Sequence, residues 1–448
     1  MLTIRAMSDG KGYSSRHLEH SDYFAEGERV VGRWQGRGAE MLGLGGEVNP
    51  EDFEAMREGL RPGTREFLRQ RQSADRVATD GTIRSRGRNL YDFTISAPKS
   101  VSIIAILGDD RRLIEAHEKA VAETLCELEG HAGTRVRLDG ANENRNTGNL
   151  VIAVYHHDTS RELDPQLHTH AVAANVTYDG KEGRWKALQA SGIYERRAYL
   201  TEVYRNALAR EVLRLGYEIE KCRDTKGRDN GFEIRGVPEE LIQKFSRRSR
   251  QRDEAIARFT AKRGRPPTNN EIAVLVRESR ADKLSEISTY DLRCRQREQL
   301  TMGETRRLAH LRHAASLSVT RLEPAMDSLD YALDHLFERV SVCRVHEALA
   351  EALRHGRGRV SHKELLGELT FRERAREVLR NGNEIATTAS LQREKDMIAC
   401  VNRGIGVCER LGGDAQFVPS EGGWAAIRQG CARKPHPAAR SRCIMRSN

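Results

Sequence analysis

Short runs of alternating polar and apolar residues are interleaved with helix-spaced stretches over most of the first 300 positions. Leu90–Ser96 sets Tyr91, Phe93 and Ile95 on one side and Asp92, Thr94 and Ser96 on the other, the period of a strand. Leu150–His157 and Leu167–Val176 read as two more strands. The stretch Asp158–Gln166 between them, with its turn-favouring Asp164-Pro165 pair, can fold them into an antiparallel pair. Tyr178–Lys181 is a hairpin-like turn, Trp185–Leu188 leads into a further strand, and Gly231–Gly236 is a short one. Asn49 as N-cap with Pro50 behind it opens a helix to about Leu60. Leu113, His117, Ala120, Val121, Leu125 and Leu128 follow helical spacing up to Gly130. A long helix is expected over Ile193–Leu215, and Pro238 opens another that carries Lys244–Arg252. Residues 1–28 read as a polar, tyrosine-bearing lead-in, and a small helical segment reaches Leu42. Beyond about 285 the chain is mostly helical. Helices mixed with hairpin strands predict an α+β fold.

A length of 448 residues calls for two or three domains. The expected division is 1–300, a helical connector over 301–420, and a disordered basic tail over 421–448. The eight cysteines are scattered without a Cys-x-x-Cys pair, as reduced thiols would be. No run is apolar for the 18 or more residues of a membrane span, and no signal-peptide core opens the chain, so a cytoplasmic protein without membrane insertion is expected. The net charge of +10 suits a polyanionic partner. It is concentrated: nine basic residues in Lys244–Arg265 face only Asp253 and Glu254, and eight arginines in Arg61–Arg88 face Glu66, Asp75 and Asp80.

Histidine placement brings chemistry into the picture. His168 and His170 share one face of their strand, roughly 6–7 Å apart. His157 ends the run that pairs with it, so three imidazoles can converge on one point as metal ligands. The other reading is three half-buried, hydrogen-bonded strand histidines. With Tyr13, Tyr23 and Asp92 the set suggests phosphodiester chemistry. A phenol with a pKa of about 10 attacks only if its proton is removed. A divalent ion on three imidazoles keeps positions open for phosphate oxygens. An aspartate on a neighbouring strand can accept the tyrosine proton or hold a histidine from behind.

These residues resemble a known family. Trp34-Gln-Gly-Arg-Gly-Ala-Glu, Asp92-Phe-Thr-Ile-Ser-Ala-Pro-Lys-Ser-Val-Ser, Thr147-Gly-Asn-Leu-Val, and His157-Asp-Thr-Ser-Arg followed by Asp164-Pro-Gln-Leu-His-Thr-His-Ala-Val are similar to conjugative relaxases of the TrwC/TraI (MobF) type. The likeness covers about residues 1–300. It implies an HUH endonuclease fold: an antiparallel sheet flanked by helices, with one divalent cation, Mg²⁺ or Mn²⁺, held by His157, His168 and His170. It implies strand-specific nicking of single-stranded or supercoiled DNA at a plasmid transfer origin through a 5′-phosphotyrosine, in the bacterial cytoplasm. Accessory relaxosome proteins and a type IV secretion coupling protein are the implied partners. Asp92 matches the acidic residue near the nucleophile, and Tyr13 and Tyr23 match the two tyrosine positions. Where the family often has tyrosine pairs this chain has Tyr13-Ser14 and Tyr23-Phe24, which gives the first attack to Tyr13.

The basic residues expected along the DNA are Arg84, Arg86, Arg88, Lys99, Arg247, Arg248 and Arg250. The chain carries no G-x-x-x-x-G-K-[ST] motif, and residues about 325–418 resemble the connector into a helicase. A relative shortened before its motor, without ATPase activity, is therefore expected. A rolling-circle or transposition nuclease would usually place its histidines before the tyrosine, the reverse of the order here. A non-catalytic DNA-binding remnant and a three-histidine hydrolase of small molecules complete the alternatives.

Overall fold

A computed structural model describes residues 1–405 apart from 8–29, 65, 71–75, 78–82, 86, 139, 161, 225, 269–270, 273, 276–287 and 316–322. Tyr13, Tyr23, Arg86 and the basic tail lie outside the described residues. So does the side chain of Arg84, in the short strand Ile83–Ser85.

The frame is one five-stranded antiparallel sheet. Its strands are β1 (Leu2–Met7), β2 (Arg33–Gln35), β3 (Leu90–Ser96), β4 (Ile152–Thr159) and β5 (Pro165–Ala174), in the order β1-β3-β5-β4-β2. β3 occupies the predicted span, and the paired histidine strands each lie about two residues from the predicted bounds. β1 falls in the stretch read as a polar lead-in. Its alternation is faint because it is an edge strand with only Leu2 and Met7 fully buried, yet it pairs along its whole length with β3.

Both faces of the sheet are covered, which explains why Leu90–Phe93 are buried on either side. The back face carries Phe93, Ile95, Val154, Leu167, Ala171 and Ala173. Three helices pack directly into that core: α1 (Lys99–Ile106), α2 (Arg111–Glu129) and α3 (Arg197–Arg214). Asp110 caps α2 by accepting from the Arg112 N–H, and Gly130 ends it as expected. The predicted helix 193–215 is split: Ser191–Glu195 is a short helix and α3 restarts after Arg196. On the front face a smaller cluster of Trp34, Phe53, Met56, Val151, Ala153, Tyr155 and Val172 fills one end of the strands. The helix Pro50–Glu58, capped by Asn49, provides Phe53 and Met56. The histidines sit on this same face, at the other end.

The first compact unit runs to Ser390 and includes residues 301–390. The helices Ala325–Phe337, Val345–His355 and His362–Arg374 join the back-face core through Leu329, Leu349, Leu353 and Leu365. Gly358, at φ +75°, lies so close to α3 that a Cβ would fall 2.7 Å from Leu213. Its N–H donates to the Asn206 side chain at 2.8 Å, and the Asn206 amide donates to the Val360 carbonyl at 2.9 Å. Arg357, wholly buried, bridges Glu202 and Asp229 at 2.6 and 2.8 Å. The second unit begins at Leu391, within the helix Thr388–Gly404. Among the described residues no helix is long and apolar enough to cross a membrane.

Candidate metal and nuclease site

Register brings the histidines together. His157 stands directly opposite His168 across the β4–β5 ladder, and His170 lies opposite Thr94 on β3. Residues 157, 168 and 170 therefore share the front face, as the alternation predicts. Their ring centroids form a near-equilateral triangle with sides of 5.2, 5.3 and 5.3 Å. Three imidazoles binding one ion at about 2.0–2.1 Å, at near-tetrahedral angles, would place their centroids about 5 Å apart. The spacing fits a shared cation. Among the described residues no group of three or more His, Cys, Asp or Glu is arranged to hold a metal ion as it stands, so the fit rests on the ring spacing and on the chemistry of three imidazoles.

Hydrogen bonds behind the rings decide which nitrogens face outward. His170 Nδ1 donates to the Asp92 carboxylate at 2.8 and 3.0 Å. Asp92, 3% exposed, is further steadied by the Thr94 hydroxyl at 3.3 Å. His168 Nδ1 donates to the Gln166 carbonyl at 2.9 Å. With Nδ1 protonated in both, each neutral ring keeps its Nε2 lone pair for an ion. Burial, and after it repulsion between the His168 and His170 imidazoles on protonation, pushes the His168 pKa down to about 4, so this ring is neutral at physiological pH. Asp92 therefore holds a histidine, one of the two roles open to it in the sequence; the tyrosines that bear on the other lie outside the described residues.

Behind β5 lies a network that the sequence did not single out. Thr169, between the two histidines but pointing to the back face, is hydrogen-bonded to His117 Nε2 at 2.9 Å and to His156 Nδ1 at 2.8 Å. His117 Nδ1 meets the Tyr204 hydroxyl at 2.7 Å. Thr169, His117 and Tyr204 are all buried. With one hydroxyl proton on Thr169, the bonds must run in one direction along the chain, tying β5 to α2 and α3. His117 had registered only as a position on an apolar helix face.

The expected DNA-facing residues are scattered around this centre. Lys99 lines a cleft of about 760 Å³ together with Ser96, Gln166, Arg248 and Arg252. Ser96 stands opposite His168, so the cleft opens beside the histidines. Lys99 Nζ donates to the Pro165 carbonyl at 2.9 Å, and burial lowers its pKa to about 8 against the attraction of Asp164 and Glu233. Arg88, Arg248 and Arg250 are exposed. Arg247 is committed elsewhere: its Nε binds the buried Asp164 at 2.7 Å.

Comparison with known proteins follows the same outline. Residues 7–302 match the family model for TrwC relaxase. The multifunctional conjugation protein TraI of Escherichia coli K12 is 38% identical over 265 residues, covering 57% of this chain and 14% of TraI. The chain thus spans a small part of the length of that relative. Conjugative relaxase TrwC, solved as a metal-bound complex with oriT DNA, is 32% identical with a TM-score of 0.56, covering 71% of this chain and 100% of that one. TrwC with a 27-mer DNA comprising the recognition hairpin and the cleavage site gives 33% identity and a TM-score of 0.55 over the same shares.

Proposed function

The chain belongs to the TrwC relaxase family, and from that premise we propose that it nicks one DNA strand at a plasmid transfer origin and becomes covalently joined to it. The observation that carries this reading is the triangle of His157, His168 and His170 with Asp92 fixed behind it. In this reading the three histidines hold one divalent cation, Mg²⁺ or Mn²⁺, which when bound would neutralise charge building on the scissile phosphate oxygens. Asp92 and the Gln166 carbonyl keep two of the rings in the tautomer that binds it.

The Tyr13 oxygen attacks phosphorus, and its proton passes through solvent to the departing 3′-oxygen. The bond from phosphorus to the 3′-oxygen breaks, which leaves a 5′-phosphotyrosine and a free 3′-hydroxyl. Tyr23 stands at the second of the family's two tyrosine positions. Arg84, Arg86, Arg88, Lys99, Arg248 and Arg250 follow the phosphates of the single strand. The protein would act in the bacterial cytoplasm with accessory relaxosome proteins and a coupling protein.

The full chain, incubated with supercoiled origin DNA and Mn²⁺, should form a protease-sensitive protein–DNA adduct that EDTA prevents. Tyr13→Phe should form none on the first cut. An adduct that forms equally well with EDTA, or in the phenylalanine variant, would overturn the metal or the nucleophile assignment respectively.

A further inference from the structure

The turn that joins the two histidine strands is held from outside the sheet. The β4–β5 register shifts between His157 and Thr159, so the ladder is irregular immediately after the first histidine. Leu163 then adopts φ +62°, a left-handed conformation that a leucine rarely takes and that persists only where its surroundings enforce it. Two helices provide that enforcement: α4 (Arg247–Arg263) and α5 (Thr289–Glu298).

From α5, the nearly buried Gln296 donates its amide to the Leu163 carbonyl at 2.7 Å. Arg293 donates to the Gln296 side-chain oxygen at 2.9 Å with one arm and grips the Asp158 carboxylate with the other. A closed chain of contacts thus runs from Leu163 through Gln296 and Arg293 to Asp158, the neighbour of His157. From α4, Arg247 donates its backbone N–H and its Nε to the buried Asp164 at 2.9 and 2.7 Å, and Gln251 reaches Glu162 at 3.3 Å.

We propose that α4 and α5 clamp this turn and that Gln296, Arg293 and Arg247 are positioning residues for the metal-binding histidines. The proposal rests on the metal role assigned above. The helices fix the two ends of the turn, and with them the His157–His168 pairing on which the 5.2 Å ring spacing depends. The same helices carry a dense set of basic side chains, so a strand bound along them would lie against the element that sets the histidine geometry.

Gln296→Met keeps the volume and removes the donor; Arg293→Gln, at a more exposed position, tests the same chain should the first variant not fold. In the full-length protein, Mn²⁺ titration calorimetry should show affinity reduced about tenfold, the scale found for partners that orient metal ligands. Adduct formation at limiting Mn²⁺ should slow in proportion and recover at saturating Mn²⁺. Oligonucleotide affinity of Gln296→Met, which removes no charge, should match wild type when measured in EDTA. Variants that bind Mn²⁺ as tightly as wild type, or whose lost activity excess Mn²⁺ does not restore, overturn the clamp. A wild-type chain that neither binds Mn²⁺ nor forms an adduct would instead remove the metal reading and the clamp with it.

Discussion

Asp92 offers the sharpest test of how the site works. Its carboxylate lies 2.8 and 3.0 Å from His170 Nδ1 at 3% exposure, so the pair is shielded from solvent competition. Asp92→Asn keeps an oxygen in place but removes the charge. A hydrogen bond to a charged partner contributes about 1.5–3 kcal/mol against about 0.5–1.5 for a neutral one. The difference, about 1 kcal/mol, is roughly a fivefold loss of Mn²⁺ affinity. Asp92→Ala goes further, because among the described residues it leaves Nδ1 only the Thr94 hydroxyl at 3.4 Å. The ring is then free to turn, and the loss should fall between about 10-fold and 100-fold. Calorimetric titration with Mn²⁺, paired with the rate of adduct formation, reads both. Were Asp92 instead the acceptor of the tyrosine proton, Asp92→Ala would abolish the adduct while leaving Mn²⁺ affinity within twofold of wild type. That result would refute the positioning argument.

Three further expectations follow from the core. Thr169→Val deletes the hydroxyl that two imidazoles share, and stranding two buried nitrogens should cost about 2–4 kcal/mol in urea unfolding; a change below about 1 kcal/mol would show that the network is not maintained. Burial holds the His117 pKa well below its usual 6.5, so the folded chain binds fewer protons than the unfolded one as pH falls beneath that value. The melting temperature should therefore drop from pH 7 to pH 5, and His117→Gln should flatten that slope; an unchanged slope contradicts the assignment. Arg357→Met leaves Glu202 and Asp229 without their buried partner and should destabilise the chain by about 3–5 kcal/mol in denaturant titration, against no more than about 1 kcal/mol if the bridge behaved as a surface pair.

Local pattern and long-range pairing were unequally legible in the sequence. Alternation in Leu90–Ser96 and the short apolar runs that end in or carry the histidines identified three neighbouring strands of the sheet. Strand alternation brought His157, His168 and His170 to one face before any coordinates. Edge strands carry less of this signal, and β1, with two fully buried residues, was missed. Contacts between distant residues left no local trace. Arg247 looked like part of a basic stripe until the fold set Asp164, 83 positions away, beneath its guanidinium. Thr169, His117 and Tyr204 are unremarkable singly, and only the stacking of α2 and α3 behind β5 gives them a common purpose. The break at Arg196 is equally silent, since hydrophobic spacing continues across it.

The seam between α3 and residues 345–362 bears on how this protein should be handled at the bench. A recombinant piece trimmed at 302, where the family likeness stops, would strip Leu349 and Leu353 from the shared core. It would also deprive Glu202 of Arg357, and Tyr199 of the His362 ring bonded to it at 2.6 Å. Such a fragment would present a greasy flank in which Glu202 keeps Arg205 at 2.9 Å but loses its buried partner, a recipe for clumping during purification. Cloning boundaries drawn near Ser390, the end of the first compact unit, keep that flank sheathed.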